Sequence, residues 1–271
     1  MKKLLTLQVI LFTSLALLAA CDEKTDRKLS NDKGTVESSY SLGESSSSTP
    51  TSSSEMARTA AIVALPPVVK GTMTDARDGM TYKTVTIGTQ TWMAQNLNYD
   101  YNEGTAKSNC YNNSVDSCAK YGRLYTWAAA MDSAALFSTA GKGCGYDNIC
   151  SPSGTVRGVC PEGWHLPDDA EWNTLMTAVG GERTAGKKLK TTSGWYESSN
   201  GYDFYGFGVL PAGFLSSNGS FVSVGYNTYL WSSSERGSYY ADNWNIGATS
   251  DSASCIYSNK YLEFSVRCLK D

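Results

Sequence analysis

The sequence predicts an α+β domain of short, mixed and mainly antiparallel strands with about two helices, stapled by disulfides. Three observations lead there. Glycine is abundant (25 residues), charge is low at 18%, and 17 Tyr and 7 Trp supply a large aromatic core; that profile suits turn-rich β structure better than a helical bundle. Eight cysteines without any C-x-x-C pair read as a disulfide set rather than a zinc ribbon or a thioredoxin-like redox site. One segment, from Asp168 onward, carries a complete set of helix signals.

The chain opens with Lys2-Lys3, an apolar run from Leu4 to Ala20, then Cys21. A basic start, a short apolar stretch and small residues before a cut make a secretory signal. Leu18-Ala19-Ala20-Cys21 resembles a bacterial lipobox, which implies a signal peptide over 1–20 and Cys21 as the lipidated, palmitate-bearing N-terminus. Removing residues 1–20 takes Lys2 and Lys3 from 23 basic residues and none of the 26 acidic ones, leaving a net charge near −5. A mildly acidic chain without a basic patch does not suit nucleic acid. Nor does it suit electrostatic docking on anionic lipid, so the membrane partner is reached through acyl chains on Cys21. No later stretch reaches the 18 apolar residues of a membrane span.

Residues 21–70 are predicted as a disordered, Ser-rich tether, with Ser45–Ser48 and Ser52–Ser54 flanking Thr49-Pro50-Thr51. Its reach in the flexible regime is about 40 Å. Ile62–Val69 is more apolar, and the folded domain is placed at 71–271. Tyr82–Ile87 and Gln90–Ala94, joined by Gly88-Thr89, read as a β-hairpin. Leu124, Trp127, Ala128 and Met131 are spaced i, i+3, i+4, i+7, which predicts a first helix within Gly122–Phe137. In the second helix Asp168 is the N-cap and Glu171 completes a capping box. Trp172, Leu175, Met176 and Val179 repeat at helical spacing, and Gly180-Gly181 ends it. Strands are then expected at Phe207–Phe214, Phe221–Val224, Tyr229–Ser232, Tyr239–Ile246 and Leu262–Leu269. Trp92, Trp127, Trp164, Trp172 and Trp231 are assigned to the core.

Several segments, taken in order, resemble the Fibrobacter succinogenes major paralogous domain, a family of exported bacterial modules. They include Met73–Gly79, Thr89–Leu97, Gly122–Trp127, Gly158–Pro167 with Glu171-Trp172, Leu210–Gly213, Leu230–Glu235 and Ser265–Cys268. The family carries over no biochemical activity. A more distant likeness, through Gly163-Trp164-His165-Leu166 leading into a helix, is to the C-type lectin-like fold. That likeness implies a bond between Cys160 and Cys268; Cys110 with Cys118 and Cys144 with Cys150 are then the local pairs by spacing, and Cys255 is left over. Six cysteines allow fifteen connectivities, so spacing alone does not decide.

His165, the single histidine, is expected to be structural, because acidic residues such as Asp168, Asp169 and Glu171 collect at helix starts for capping and dipole reasons. No catalytic residue, metal ligand or cofactor is assigned. Lectin-like relatives admit calcium, and Asp242-Asn243-Trp244-Asn245 only approximates their ligand segment, without a preceding Glu-Pro-Asn. Exposed rings beside Asn and Asp suit sugar faces. The contact surface is therefore placed at Tyr239, Tyr240, Asp242, Asn243, Trp244 and Asn245, with Tyr196, Tyr202 and Tyr205 as further candidate rings. The expected role is a non-catalytic display or adhesion module at the outer membrane or cell surface, with a polysaccharide or a surface protein as partner. Two alternatives stand. One is a purely structural envelope protein. The other is a thiol enzyme similar to formylglycine-generating enzymes, by the likeness of Leu166–Trp172, with Cys255 and Cys268 as the thiols; the Arg-Gly-Gly-Ser-Trp segment of that family is absent.

Overall fold

The computed structural model describes residues 68–271. The lipobox, Cys21 and nearly all of the 21–70 segment lie outside the described residues. Among those described, no helix is long and apolar enough to cross a membrane.

Two sheets organise the domain. The first is formed by β1 (Val69–Thr74), β2 (Thr81–Ile87), β3 (Gln90–Met93), β6 (Trp164–His165) and β13 (Leu269–Lys270), in the order β1-β2-β3-β13-β6. Its β2–β3 hairpin is the predicted one, paired from Thr84↔Met93 to Ile87↔Gln90. β13 sits between β3 and β6 through Leu269↔Trp92 and Leu269↔His165. The second sheet has eight strands, with β4 (Ser108–Asn109), β5 (Leu124–Thr126), β7 (Ala212–Leu215), β8 (Phe221–Val224), β9 (Asn227–Arg236), β10 (Tyr240–Gly247), β11 (Ala253–Asn259) and β12 (Glu263–Ser265). It runs β11-β10-β9-β7-β12-β5-β4, with β8 paired to β7.

Among the described residues four short helices are present rather than two: α1 (Val115–Tyr121), α2 (Trp127–Ala130), α3 (Asp169–Ala178) and α4 (Glu182–Leu189). The expected helix over Gly122–Phe137 splits. Leu124–Thr126 is drawn into the second sheet between β4 and β12, and only Trp127–Ala130 coils. α3 begins as predicted, with Glu171 N donating to Asp168 Oδ1 (2.8 Å) and Asp168 N to Glu171 Oε2 (2.9 Å). α4 was not foreseen: its buried face is only Ala185, Gly186 and Leu189. Gly186 lets α4 approach the β10–β11 turn so closely that a Cβ there would stand 2.3 Å from the Ser252 carbonyl oxygen. β11 was missed as well, since ASCIYSN has no clean alternation.

The core has two parts. Trp127, Trp231, Tyr125 and Phe264 centre one; Trp92, Trp172 and Trp244 centre the other, where α3 and α4 meet both sheets. The five tryptophans assigned to the core are buried there, and Trp195 and Trp244 join them. Arg267 is buried without a carboxylate partner: its guanidinium donates to Asn96 Oδ1 (3.1 and 2.9 Å) and to the carbonyls of Phe207 and Gly208.

Cys160–Cys268 links the approach to α3 with the residue before β13, its Cα atoms 5.9 Å apart. Cys110–Cys118 and Cys144–Cys150 close local loops. Cys255, expected to be left over, is not free, and neither is any other cysteine among the described residues.

Candidate functional site

Two neighbouring surface depressions are built around the start of α3. β6 delivers His165 beside β13, and Pro167-Asp168 turns the chain into the helix. Glu171 serves twice. One carboxylate oxygen caps Asp168, while Oε1 lies 2.9 Å from His165 Nε2. The other ring nitrogen, Nδ1, is 2.7 Å from Asp271 Oδ1. Burial alone pulls the imidazole pKa down, but the hydrogen bonds to Glu171 and Asp271 outweigh it and raise it above its ordinary value. With both nitrogens engaged, His165 clamps α3 to the C-terminal strand and offers no lone pair to a substrate or metal.

Two depressions share this clamp. One, of about 540 Å³, is bordered by Ser151, Thr155, Asp168, Ser233 and Glu235; the other, of about 580 Å³, by Thr89, Gln90 and Lys270. Hydroxyls, carboxylates and one amide stand on their walls among Pro152, Val156, Leu166 and Leu269, and these polar groups can hydrogen-bond a hydroxyl-rich ligand.

The Cys144–Cys150 loop borders the first depression and carries a second feature. Gly145 and Asn148 form an isolated bridge, which puts Tyr146 and Asp147 at the tip of a tight turn. Tyr146 meets Tyr239 at 5.2 Å between ring centroids and Tyr261 at 4.9 Å, tilted 51° and 54°. All three rings are exposed, at 49, 44 and 41%. Behind them Lys260, its side chain fully buried, donates to Glu235 Oε1 (2.5 Å) and to the Asn148 carbonyl (2.8 Å), over the face of Trp127 at 4.5 Å. Glu235 also accepts from the backbone N–H groups of Cys150 and Ser151. A separate exposed pair, Tyr196 and Tyr226, is stacked at 4.1 Å.

The contact surface expected at 239–245 is split. Tyr239 is exposed, but Asp242, Asn243 and Trp244 are buried because β10 lies between β9 and β11 and not in a turn. Trp244 faces Trp172 at 6.3 Å, and Asn245 Nδ2 donates to the Thr228 carbonyl (3.1 Å). Tyr240 is half-buried, edge-on to Tyr257 at 5.5 Å. Tyr205 is core, whereas Tyr196 and Tyr202 are exposed. The sequence reading missed Tyr146 and Tyr261; a tyrosine at the tip of a six-residue disulfide loop is a signal that was there to be read.

The ligand atoms of Asp169, Asp242 and Cys255 lie within 4.8 Å of one another. Cys255 is not a free thiol, and Asp242 already pairs with Arg236 Nε at 2.5 Å. Burial, and then the neighbouring Asp242, push the Asp169 carboxyl far up, toward its neutral form. Two carboxylates, one kept protonated, fall short of the six to eight oxygens that calcium takes.

The family model of the Fibrobacter succinogenes major domain matches residues 85–270, which include His165 and Glu171 of the clamp and all three rings of the tyrosine cluster. Comparison with curated proteins and with solved structures returns no match.

Proposed function

We propose that this chain, which belongs to the Fibrobacter succinogenes major domain family, is a lipid-anchored, non-catalytic display module of the cell envelope that binds polysaccharide. The observation that carries the reading is the make-up of its apolar surface: among the described residues, seven of the twelve large hydrophobic side chains exposed are Tyr or Phe. Rings with a polar edge stack on sugar faces while leaving their hydroxyls in water. The Cys160–Cys268 bond between the approach to α3 and the C-terminal strand supports a C-type lectin-like fold. The engaged nitrogens of His165 and the oxidised cysteines favour binding over thiol or acid–base chemistry. Cys21 behind its apolar run supports the anchor, with the outer membrane or cell surface as the place of display.

The full-length lipoprotein, extracted in detergent and applied to a glycan array, should retain glycans without cleaving them. Retention of none, with capture of a purified envelope protein instead, would make the partner a protein. Replacing Cys21 by Ser should release the chain from membranes, and continued association would remove the anchor.

A further inference from the structure

Tyr146, Tyr239 and Tyr261 come from three separate segments: the tip of the 145–148 turn, the β9–β10 connection and the β11–β12 connection. Lys260 ties all three together. Its backbone N–H donates to the Tyr239 carbonyl (2.9 Å), its ammonium to the Asn148 carbonyl (2.8 Å), and Tyr261 is the next residue. The Cys144–Cys150 bond closes the turn from behind. Single exposed rings are ordinary, but Tyr239 and Tyr261 packed on either side of Tyr146 form an apolar patch that a soluble surface usually avoids. The packing among them contributes little to the fold, because more than two-fifths of each residue stays in water.

We propose that these three rings are a stacking platform for a neutral pyranose chain, a proposal that rests on the glycan-binding reading above and names its contact surface and ligand class. The tilts of 51° and 54° make a faceted surface, on which successive sugar rings of a twisting chain each meet one tyrosine. Polar groups are interleaved with the rings: Asp147 and Ser238 stand beside the Tyr239 hydroxyl, placing a carboxylate and a hydroxyl at the rim for sugar hydroxyls. That mixture favours a hydroxyl-rich ligand over a proline-rich peptide. Charge narrows the class further. Asp147 is exposed, while the nearby cations Lys260 and Arg236 are engaged with Glu235 and Asp242. The rim is thus negative and disfavours uronate or sulfated chains.

Titration calorimetry on the full-length lipoprotein in detergent tests this, at about 0.15 M salt so that surface charge is screened as in the cell. The probes are neutral hexamers of glucose, mannose and xylose, with a galacturonate hexamer as the anionic counterpart. At least one neutral hexamer should bind, and the galacturonate more weakly. Tyr146→Ala, Tyr239→Ala and Tyr261→Ala should each weaken binding about five- to tenfold, as expected for one lost ring contact. Tyr146→Phe and the remote Tyr202→Ala should stay within about twofold of wild type. Neutral binding unchanged in the triple alanine variant overturns the platform while leaving the glycan-binding reading in place. Binding of galacturonate as tight as the neutral hexamers, or of a proline-rich peptide in their stead, overturns the ligand class. No binding to any hexamer, together with a blank glycan array, overturns both readings.

Discussion

Lys260→Met removes a fully buried ammonium and leaves its surroundings nearly filled. The ammonium serves Glu235 at 2.5 Å and the Asn148 carbonyl at 2.8 Å. Without it, a carboxylate whose side chain is only 7% exposed keeps its charge and loses its counter-ion. Breaking a buried pair from one side costs about 3 to 5 kcal/mol. Glu235 retains the backbone donors of Cys150 and Ser151, which places the loss near the low end. The methionine stem still covers Trp127, so little of the cost comes from packing. A loss of about 3 kcal/mol lowers Tm by roughly 6 to 12 °C in a domain of this size. Neutralising the orphan should restore the balance: Lys260→Met with Glu235→Gln is expected within about 1 kcal/mol of wild type, because buried pairs replaced as pairs are often neutral. Urea unfolding at pH 7, disulfides intact, followed by tryptophan fluorescence, reads both numbers. A single variant losing less than about 1 kcal/mol, or a double variant no better than the single, would refute the argument that this lysine organises the loop.

Replacing Cys160 and Cys268 together by Ala should cost about 4 to 5 kcal/mol, and replacing Cys110 and Cys118 about 2 to 3, since the first pair spans 108 residues and the second 8; equal losses in urea unfolding would count against the loop-length account. His165 has a raised pKa when folded, so its stabilisation is complete below the unfolded value near 6.5 and fades as pH rises through the folded value. The penalty of His165→Gln should therefore shrink from pH 6 to pH 9, and a penalty that grows would contradict the clamp. Burial pushes Glu263 up to about 7 against the pull of its hydrogen bond from Asn109. Its favourable contribution is present below pH 4.5 and lost as pH rises through 7, so Glu263→Gln should flatten the decline of Tm across that window.

α3 was readable because every local signal agreed: cap, box, apolar spacing and a Gly-Gly stop. The β2–β3 hairpin was readable for the same reason. Leu124–Met131 shows how periodicity misleads, for its helical spacing describes residues that a strand and one turn of helix bury together, and the strand is decided by β4 and β12 far away in sequence. α4 lacked the apolar stripe that reveals a helix, since Gly186 achieves by close approach what a large side chain achieves by area. Tyr239 is exposed as expected, but its neighbours are buried, because Asp-Asn-Trp-Asn has turn composition and yet forms an interior strand. Tyr146 and Tyr261 stand 115 positions apart, and no spacing rule reports a contact that only the folded sheet creates.

The separation of the bonded cysteines also sets a schedule for oxidative folding. Encounter of two thiols along a flexible chain becomes rarer as the loop between them lengthens, by about 1.5RT per natural-log unit of length. Between spans of 6 or 8 residues and one of 108, the difference is about 2 to 3 kcal/mol, roughly a 50-fold disadvantage for the long pair. Cys110–Cys118 and Cys144–Cys150 are therefore the oxidations that chance favours while the chain is still emerging. Each removes two thiols from the pool of wrong partners for Cys160. By the time Cys268 is available, the commonest errors are already foreclosed, and the long bond is left to record that β13 has taken its place between β3 and β6.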